Sequence, residues 1–464
     1  MDEQALCYTD IATLGRLYRT RVISPTEATR AVLDRIRRPD QRLNSFITVL
    51  EQPALEQARR AEAELADGYD RGPLHGVPIS LKDLIDTAGT RTTAASRLWR
   101  DRVPATSATV ARRLEQAGAI LIGKCNLLEF AYGIVHPDYG QCNNPWDIQR
   151  TSGGSSSGSA ASVAAGMGWG SVGTDTGGSI RIPAAYCGVV GLKPTYGRVS
   201  LHGICPLSVS LDHAGPLARS VADAAILFAA LAGYDPLDPF SLIDSVADDA
   251  VVITDEVRGL RLGIVAEHMG TDLQPGVTEA TWAAVRVLEQ AGMDVREIHI
   301  LSLHAADDAL LAAIMPEATL VHADWLRDHS ADYAALTRAQ LEQGAQISAV
   351  DYLRAQAYRQ LLRADMLDSL RTVDVLMGPT VAWAAPVEDP PVGEGQGAIE
   401  ARRTGPYNLT GLPAISVPCG FSPQGLPLGL QIAAAPLAEQ LLLRIAHTYE
   451  QRAGWFRQHP PNVD

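Results

Sequence analysis

Lysine is nearly absent from this chain of 464 residues. Of 39 Lys+Arg, three are lysines (Lys82, Lys124 and Lys193), which leaves thirty-six arginines. Each lysine sits in an apolar stretch punctuated by Gly or Pro: Pro78–Asp83, Leu121–Cys125 and Val190–Pro194. Arginine cannot lose its proton in a protein, whereas a desolvated lysine can become a neutral amine and act as a base. A lysine kept where positive charge is otherwise written as Arg is a candidate for chemistry, or for a donor geometry that Arg does not fit.

Other absences bound the function. No basic run exceeds pairs such as Arg37-Arg38 or Arg402-Arg403, and the formal net charge is −14. A phosphate backbone needs a positive surface, so direct nucleic-acid binding is not expected. No apolar run approaches the roughly 18 residues of a membrane helix. Met1-Asp2-Glu3-Gln4 lacks the order of a signal peptide, and a cytoplasmic setting is expected. The six cysteines show no close pair, and the eleven histidines form neither HxH nor HExxH. Neither a disulfide framework nor a metal or other cofactor is therefore expected.

What is present reads as a large buried core, with 46% hydrophobic and 20% charged residues. Ser24-Pro25-Thr26-Glu27 is a capping box with Pro at the first helical position. Short apolar runs at 76–81, 119–122, 260–265, 373–377, 414–418 and 426–432 read as strands. Helical patterns at 109–116, 220–231, 279–290 and 437–449 separate most of them. The alternation predicts an α/β fold around a largely buried sheet. Irregular connections are expected at 235–255 and 386–397. A single domain is expected over 1–464, with its core at about 60–235 and 370–450 and a helical, substrate-shaping insertion at about 270–370.

Residues 151–180 hold twenty Ser, Thr or Gly and one charged side chain, Asp175. A linker has such a composition, but Val163, Met167, Trp169 and Val172 argue for a packed site in which backbones approach closely. Three familiar patterns fail on context. Gly154–Gly158 fits GxSxG around Ser156, yet no strand pattern precedes it. Gly168–Gly173 fits GxGxxG, yet no acidic residue follows at the required distance. Gly118–Lys124 nearly fits a phosphate loop, yet its interior, Ala119–Ile122, is a hydrophobic strand. A nucleotide-binding protein built on that loop remains a remote alternative.

Gly173–Arg181 (GTDTGGSIR) offers another reading. Successive amides of Thr176, Gly177, Gly178 and Ser179 can converge into an anion-binding nest that stabilises an oxyanion. Ser179 is then the nucleophile, and neutral Lys82 the base, with a second serine passing the proton between them.

At this point the chain resembles the amidase signature family. The matching segments are Gly153–Ala161, Gly173–Arg181, Pro78–Asp83, Ile122–Glu129, Asn144–Trp146, Cys187–Gly197, Asn408–Gly420 and Leu426–Ile432. The resemblance implies a large mixed central sheet covered by helices on both faces. It also implies a catalytic triad of Lys82, Ser155 and Ser179, with the Ser155 peptide in cis. An oxyanion hole at Thr176–Ser179, an acyl site at Ala131, Tyr132 and Gly133, and support from Asp175 and Arg181 follow from the same match. Ser157 stands where the family often has Gly, and Lys124 and Lys193 match structural positions.

The family includes free-standing amidases and the glutaminase subunit of a tRNA-dependent amidotransferase. Two departures favour the first. Ala401 replaces the subunit's Asp, and Asp351–Arg354 replaces a basic helical segment. Tyr132, Trp325, Tyr333 and Trp383 suggest a hydrophobic acyl or leaving group. The expectation is therefore a monomeric or homodimeric amidase cleaving small hydrophobic or aryl amides, or carbamates and urethanes, through a serine acyl-enzyme. No protein, nucleic-acid or membrane partner is expected, and the glutaminase subunit is the alternative.

Overall fold

The computed structural model describes residues 3–243, 256–391, 396–461 and 463. Parts of the two expected irregular connections, 244–255 and 392–395, lie outside the described residues.

Near the N-terminus, the capping box forms as its residues predict. Ser24 accepts from the Glu27 amide and Glu27 accepts from the Ser24 amide, starting the helix Pro25–Ile36. All six apolar runs become strands, and each of the four helical patterns lies largely on a helix. The strands in chain order are β1 (Phe46–Val49), β2 (Pro78–Lys82), β3 (Ile120–Cys125), β4 (Asn143–Asn144), β5 (Asp147–Thr151), β6 (Gly170–Asp175) and β7 (Val190–Lys193). They continue with β8 (His213–Ala218), β9 (Arg261–Val265), β10 (Asp294–Ile298), β11 (Val375–Pro379), β12 (Ala414–Phe421) and β13 (Pro427–Ala433). Eleven form one sheet in the order β1-β3-β2-β6-β8-β7-β12-β13-β11-β9-β10, and β4 and β5 form a separate hairpin.

The sheet is mixed, and helices cover both faces. β2 runs parallel to β3 and β6, while β6 pairs antiparallel with β8. Every residue of β2, β6, β7, β8, β11 and β13 is buried. A strand covered on both faces has no polar side to alternate with, which is why β2, β11 and β13 read as unbroken apolar runs. β10 lies within the stretch expected to be helical, and its residues are mostly exposed or half-buried.

The Ser/Gly tract is no linker. It supplies the helix Ser157–Ala164, every residue of which is buried, and β6, an interior strand of the sheet. Small side chains allow that burial. A Cβ on Gly158 would collide with the Ser45 carbonyl oxygen and lie 2.6 Å from the Asn126 nitrogen, both backbone. No helix among the described residues is long and apolar enough to cross a membrane.

Backbone atoms cannot swing aside as a side chain can, so Gly158→Ala is expected to destabilise the protein by about 1–3 kcal/mol, the usual cost of overpacking. Chemical denaturation checks this. An unchanged midpoint would mean that the tract is loosely packed.

Candidate active site

The strand β2 ends on Lys82, which is completely buried. Its Nζ lies 2.7 Å from Ser155 Oγ and 2.9 Å from Thr174 Oγ1 on the adjacent strand β6. No carboxylate reaches it within ion-pair distance among the described residues. Burial pushes its ammonium down to about 7, against the opposing pull of Asp175 and Asp212. A lysine in this state holds a lone pair near neutral pH, facing a serine hydroxyl.

The other two lysines are spent on structure. Lys124 Nζ is 3.2 Å from Asp83 Oδ1 and donates to Thr92 Oγ1 at 2.7 Å. Lys193 donates to the Leu412 carbonyl at 2.6 Å and the Pro194 carbonyl at 3.1 Å. Both are fully enclosed.

Ser155 follows a cis Gly154–Ser155 peptide. Its neighbour Ser156, the centre of the GxSxG match, is buried, and its hydroxyl donates to the Thr174 carbonyl at 3.1 Å. The Ser156 amide in turn donates to the Ser179 carbonyl at 3.1 Å, tying the two serine segments together. Gly118–Lys124, the near match to a phosphate loop, runs into strand β3, whose backbone is paired with β1 and β2.

Ser179 sits on the turn between β6 and the helix Arg181–Cys187. Asp175 braces that turn. It accepts from the Ile180 amide at 3.1 Å, from the Arg181 guanidinium at 2.9 and 3.0 Å, and from Asn408 Nδ2 at 2.8 Å. Burial alone would raise the Asp175 carboxyl, but Arg181 holds it well below the usual carboxylate range. Arg181 is itself fully buried and also donates to Thr404 O, Gln431 Oε1 and Asn408 Oδ1. The turn's conformation requires glycine at 178, where φ is +144° and a Cβ would run into Thr404 Oγ1.

The amides of Gly177, Gly178 and Ser179 donate to no protein acceptor among the described residues. Unspent donors beside a serine hydroxyl meet the requirement for holding an oxyanion. Thr176 anchors the start of the turn through its hydroxyl, which donates to Asp212 Oδ1 at 2.6 Å. Burial raises the Asp212 carboxyl to about 6, and it also receives the Leu207 and Ser208 amides.

One cavity brings together Ser155, Ser179, Thr176, Gly177, Ala131, Tyr132 and Gly133. Gly178, Asp175 and Arg181 stand behind it. Leu310, Leu311 and Ile314, from the helix Ala306–His329, add an apolar wall. Sequence reasoning does not single out Thr174, Asp212, Asn408, Thr404 or Gln431, because polar residues far along the chain carry no local signal. It misses Asp307, Asp389 and Glu400, which also line the cavity, for the same reason.

This sheet and this serine–lysine centre are those of a hydrolase of C–N bonds. The Amidase family profile matches residues 27–443, and the chain belongs to that family, whose members use a Ser–cis-Ser–Lys triad. It is 38% identical to the A subunit of Glutamyl-tRNA(Gln) amidotransferase from Moorella thermoacetica, over 98% of this chain and 99% of that protein. Among solved structures, the native peptide amidase from Stenotrophomonas maltophilia is 33% identical with a TM-score of 0.86, covering 98% of this chain and 99% of its own. The Thermotoga maritima form of the amidotransferase A subunit is 30% identical with a TM-score of 0.78, covering 95% of this chain and 93% of its own.

These relatives correct the expectation of a free-standing amidase for hydrophobic or aryl amides, carbamates or urethanes that acts without protein or nucleic-acid partners. Curated relatives 37–40% identical to this chain, over 94% or more of its length, bear the name of an amidotransferase subunit. The side chains that suggested otherwise lie elsewhere. Of the four aromatic residues, only Tyr132 lines the cavity. Trp325 packs on Trp99 and Phe130, Tyr333 is bonded to His322, and Trp383 lies in a core cluster with Tyr186. Ala401 does lack a carboxylate, but Asp307, Asp389 and Glu400 border the same space. Asp351 and Arg354 pair with each other at 3.0 Å on an exposed helical turn and do not line the cavity.

Removing one partner of a buried ion pair strands the other charge, at a typical cost of about 3–5 kcal/mol. Arg181→Met should destabilise the fold by that order and abolish turnover, because the turn that carries Ser179 loses its brace. Denaturation and labelling of Ser179 by a fluorophosphonate check both effects. Normal labelling in the variant would mean that the turn holds its shape without Arg181.

Proposed function

We propose that this chain is the amide-hydrolysing subunit of a tRNA-dependent amidotransferase, releasing ammonia from the side-chain carboxamide of glutamine, a linear primary amide. The observation that carries this reading is its 38% identity, across nearly the full length of both proteins, to a chain that bears that enzyme's name. The net charge of −14 supports a division of labour in which a partner subunit, rather than this chain, holds the RNA. Work beside tRNA sets the protein in the cytoplasm.

The triad residues take up these roles as follows. Ser179 Oγ attacks the carboxamide carbon while its proton passes to Ser155, whose own proton passes to the neutral Lys82 amine. The amides of Gly177, Gly178 and Ser179 receive the negative charge that develops on oxygen. When the intermediate collapses, the C–N bond breaks, the proton returns along the same path, and ammonia departs. Water then attacks the Ser179 ester by the reverse relay, releasing glutamate and the free serine. The relay places no demand on nitrogen as leaving atom, so an ester of the same acyl group should also acylate Ser179.

Since Lys82 acts as a neutral amine and burial brings it to about 7, kcat/KM for glutamine should rise with pH through that value and level off above it. Lys82→Arg keeps the charge but cannot shed the proton. It is expected to lose about 10²–10⁴-fold in rate, as much as Lys82→Ala. Ammonia release from glutamine, measured on the full chain alone and with its partner subunits, tests the function. If the assembled protein turns over simple aryl amides while glutamine is untouched, the amidotransferase reading fails.

A further inference from the structure

Three carboxylates, Asp307, Asp389 and Glu400, line the cavity that holds Ser179. Asp307 is matched, with Arg402 Nε at 2.8 Å. The other two face no cation within ion-pair distance among the described residues. Glu400 Oε1 accepts from the Tyr186 hydroxyl at 2.7 Å. Asp389 Oδ2 accepts from Thr151 Oγ1 at 2.7 Å, while its Oδ1 is buried and has no hydrogen-bond partner among the described residues.

An acidic oxygen enclosed without a donor costs free energy, and native structures normally satisfy such atoms. Burial lifts both carboxyl groups, Asp389 to about 6 and Glu400 to about 8, and the charge of Asp389 adds to the rise at Glu400. An aryl or alkyl group placed here would leave both acids unpaired. An ammonium group brings a positive charge and three N–H donors to two acids that, among the described residues, have only one hydroxyl donor each and no cation.

Resting on the glutamine reading, we propose that Asp389 and Glu400 bind the α-ammonium group of the amide substrate. They do so beside Ala401, which offers no carboxylate of its own. The two acids make the cavity select amides that carry a cationic amine.

The test compares L-glutamine with its des-amino analogue, 4-carbamoylbutanoate, which keeps the carboxamide and the carboxylate. The full chain should prefer glutamine by at least tenfold in kcat/KM. Asp389→Asn and Glu400→Gln should each reduce that ratio about tenfold or more, chiefly through KM. Equal turnover of the two amides by the unaltered protein would overturn the proposal without any variant, so a misfolded mutant cannot protect it. Parallel losses on both substrates in well-folded variants would also overturn it, since a merely structural role predicts that pattern. The two readings fail separately. Glutamine hydrolysis without discrimination removes the ammonium site and leaves the amidotransferase function. Hydrolysis of an amine-bearing amide such as L-lysinamide but not glutamine, weakened by both variants, keeps the ammonium site and removes glutamine as the substrate.

Discussion

The site depends on burying one ammonium group without giving it a carboxylate to rest on. Lys82 has two hydroxyl neighbours and no ion-pair partner among the described residues, and that lowers its proton affinity toward neutrality. The cost falls on stability in a definite pH window. Between about 7 and the ordinary lysine value near 10.4, the unfolded chain holds a proton that the folded one does not, so stability rises with pH there. Below about 7 the folded protein bears the full cost of a buried charge. The same penalty that weakens the fold leaves the amine a lone pair near neutral pH.

Everything around Lys82 fixes what it faces. Strand β6 carries Thr174 against its Nζ and then, one residue on, Asp175 away from it toward Arg181. The buried Asp175–Arg181 pair is worth little as net stability, because desolvation offsets attraction. Its value is positional. With Asn408, Thr404 and Gln431 it holds a turn whose Gly177, Gly178 and Ser179 amides point at no protein acceptor among the described residues. Chemistry therefore rests on donors and a base that the fold leaves unsatisfied, surrounded by polar groups that are satisfied.

Much of this is legible in the sequence, for identifiable reasons. A residue type written three times in 464 positions singles out Lys82, and a Gly-Gly-Ser turn beside an isolated Asp singles out Ser179. Buried parallel strands announce themselves as apolar runs, so β2, β3 and β9 are visible. β6 is hidden because a strand of Gly, Ser and Thr carries no hydrophobic pattern. Asn408 and Gln431 reach the Asp175–Arg181 pair from more than 220 residues away, a distance that no local motif encodes. The aromatic residues mislead for a related reason. Large side chains in a chain with 6% aromatics look like pocket linings, but Trp325 packs half-buried against the core and Trp383 lies within it.

Substrate choice is harder to read, because a single position such as Ala401 does not decide whether a cavity can pair an amine. Charge in a cavity is a property of its whole wall, and three carboxylates border this one. Asp307 is neutralised by Arg402, and the remaining two repel each other. The charge of Asp389 adds to the rise at Glu400, and a cation arriving beside them relieves that repulsion. The arrangement also leaves apolar groups with unpaired acids beside them. Selectivity then arises from what a wrong substrate fails to satisfy, as much as from what the right one binds.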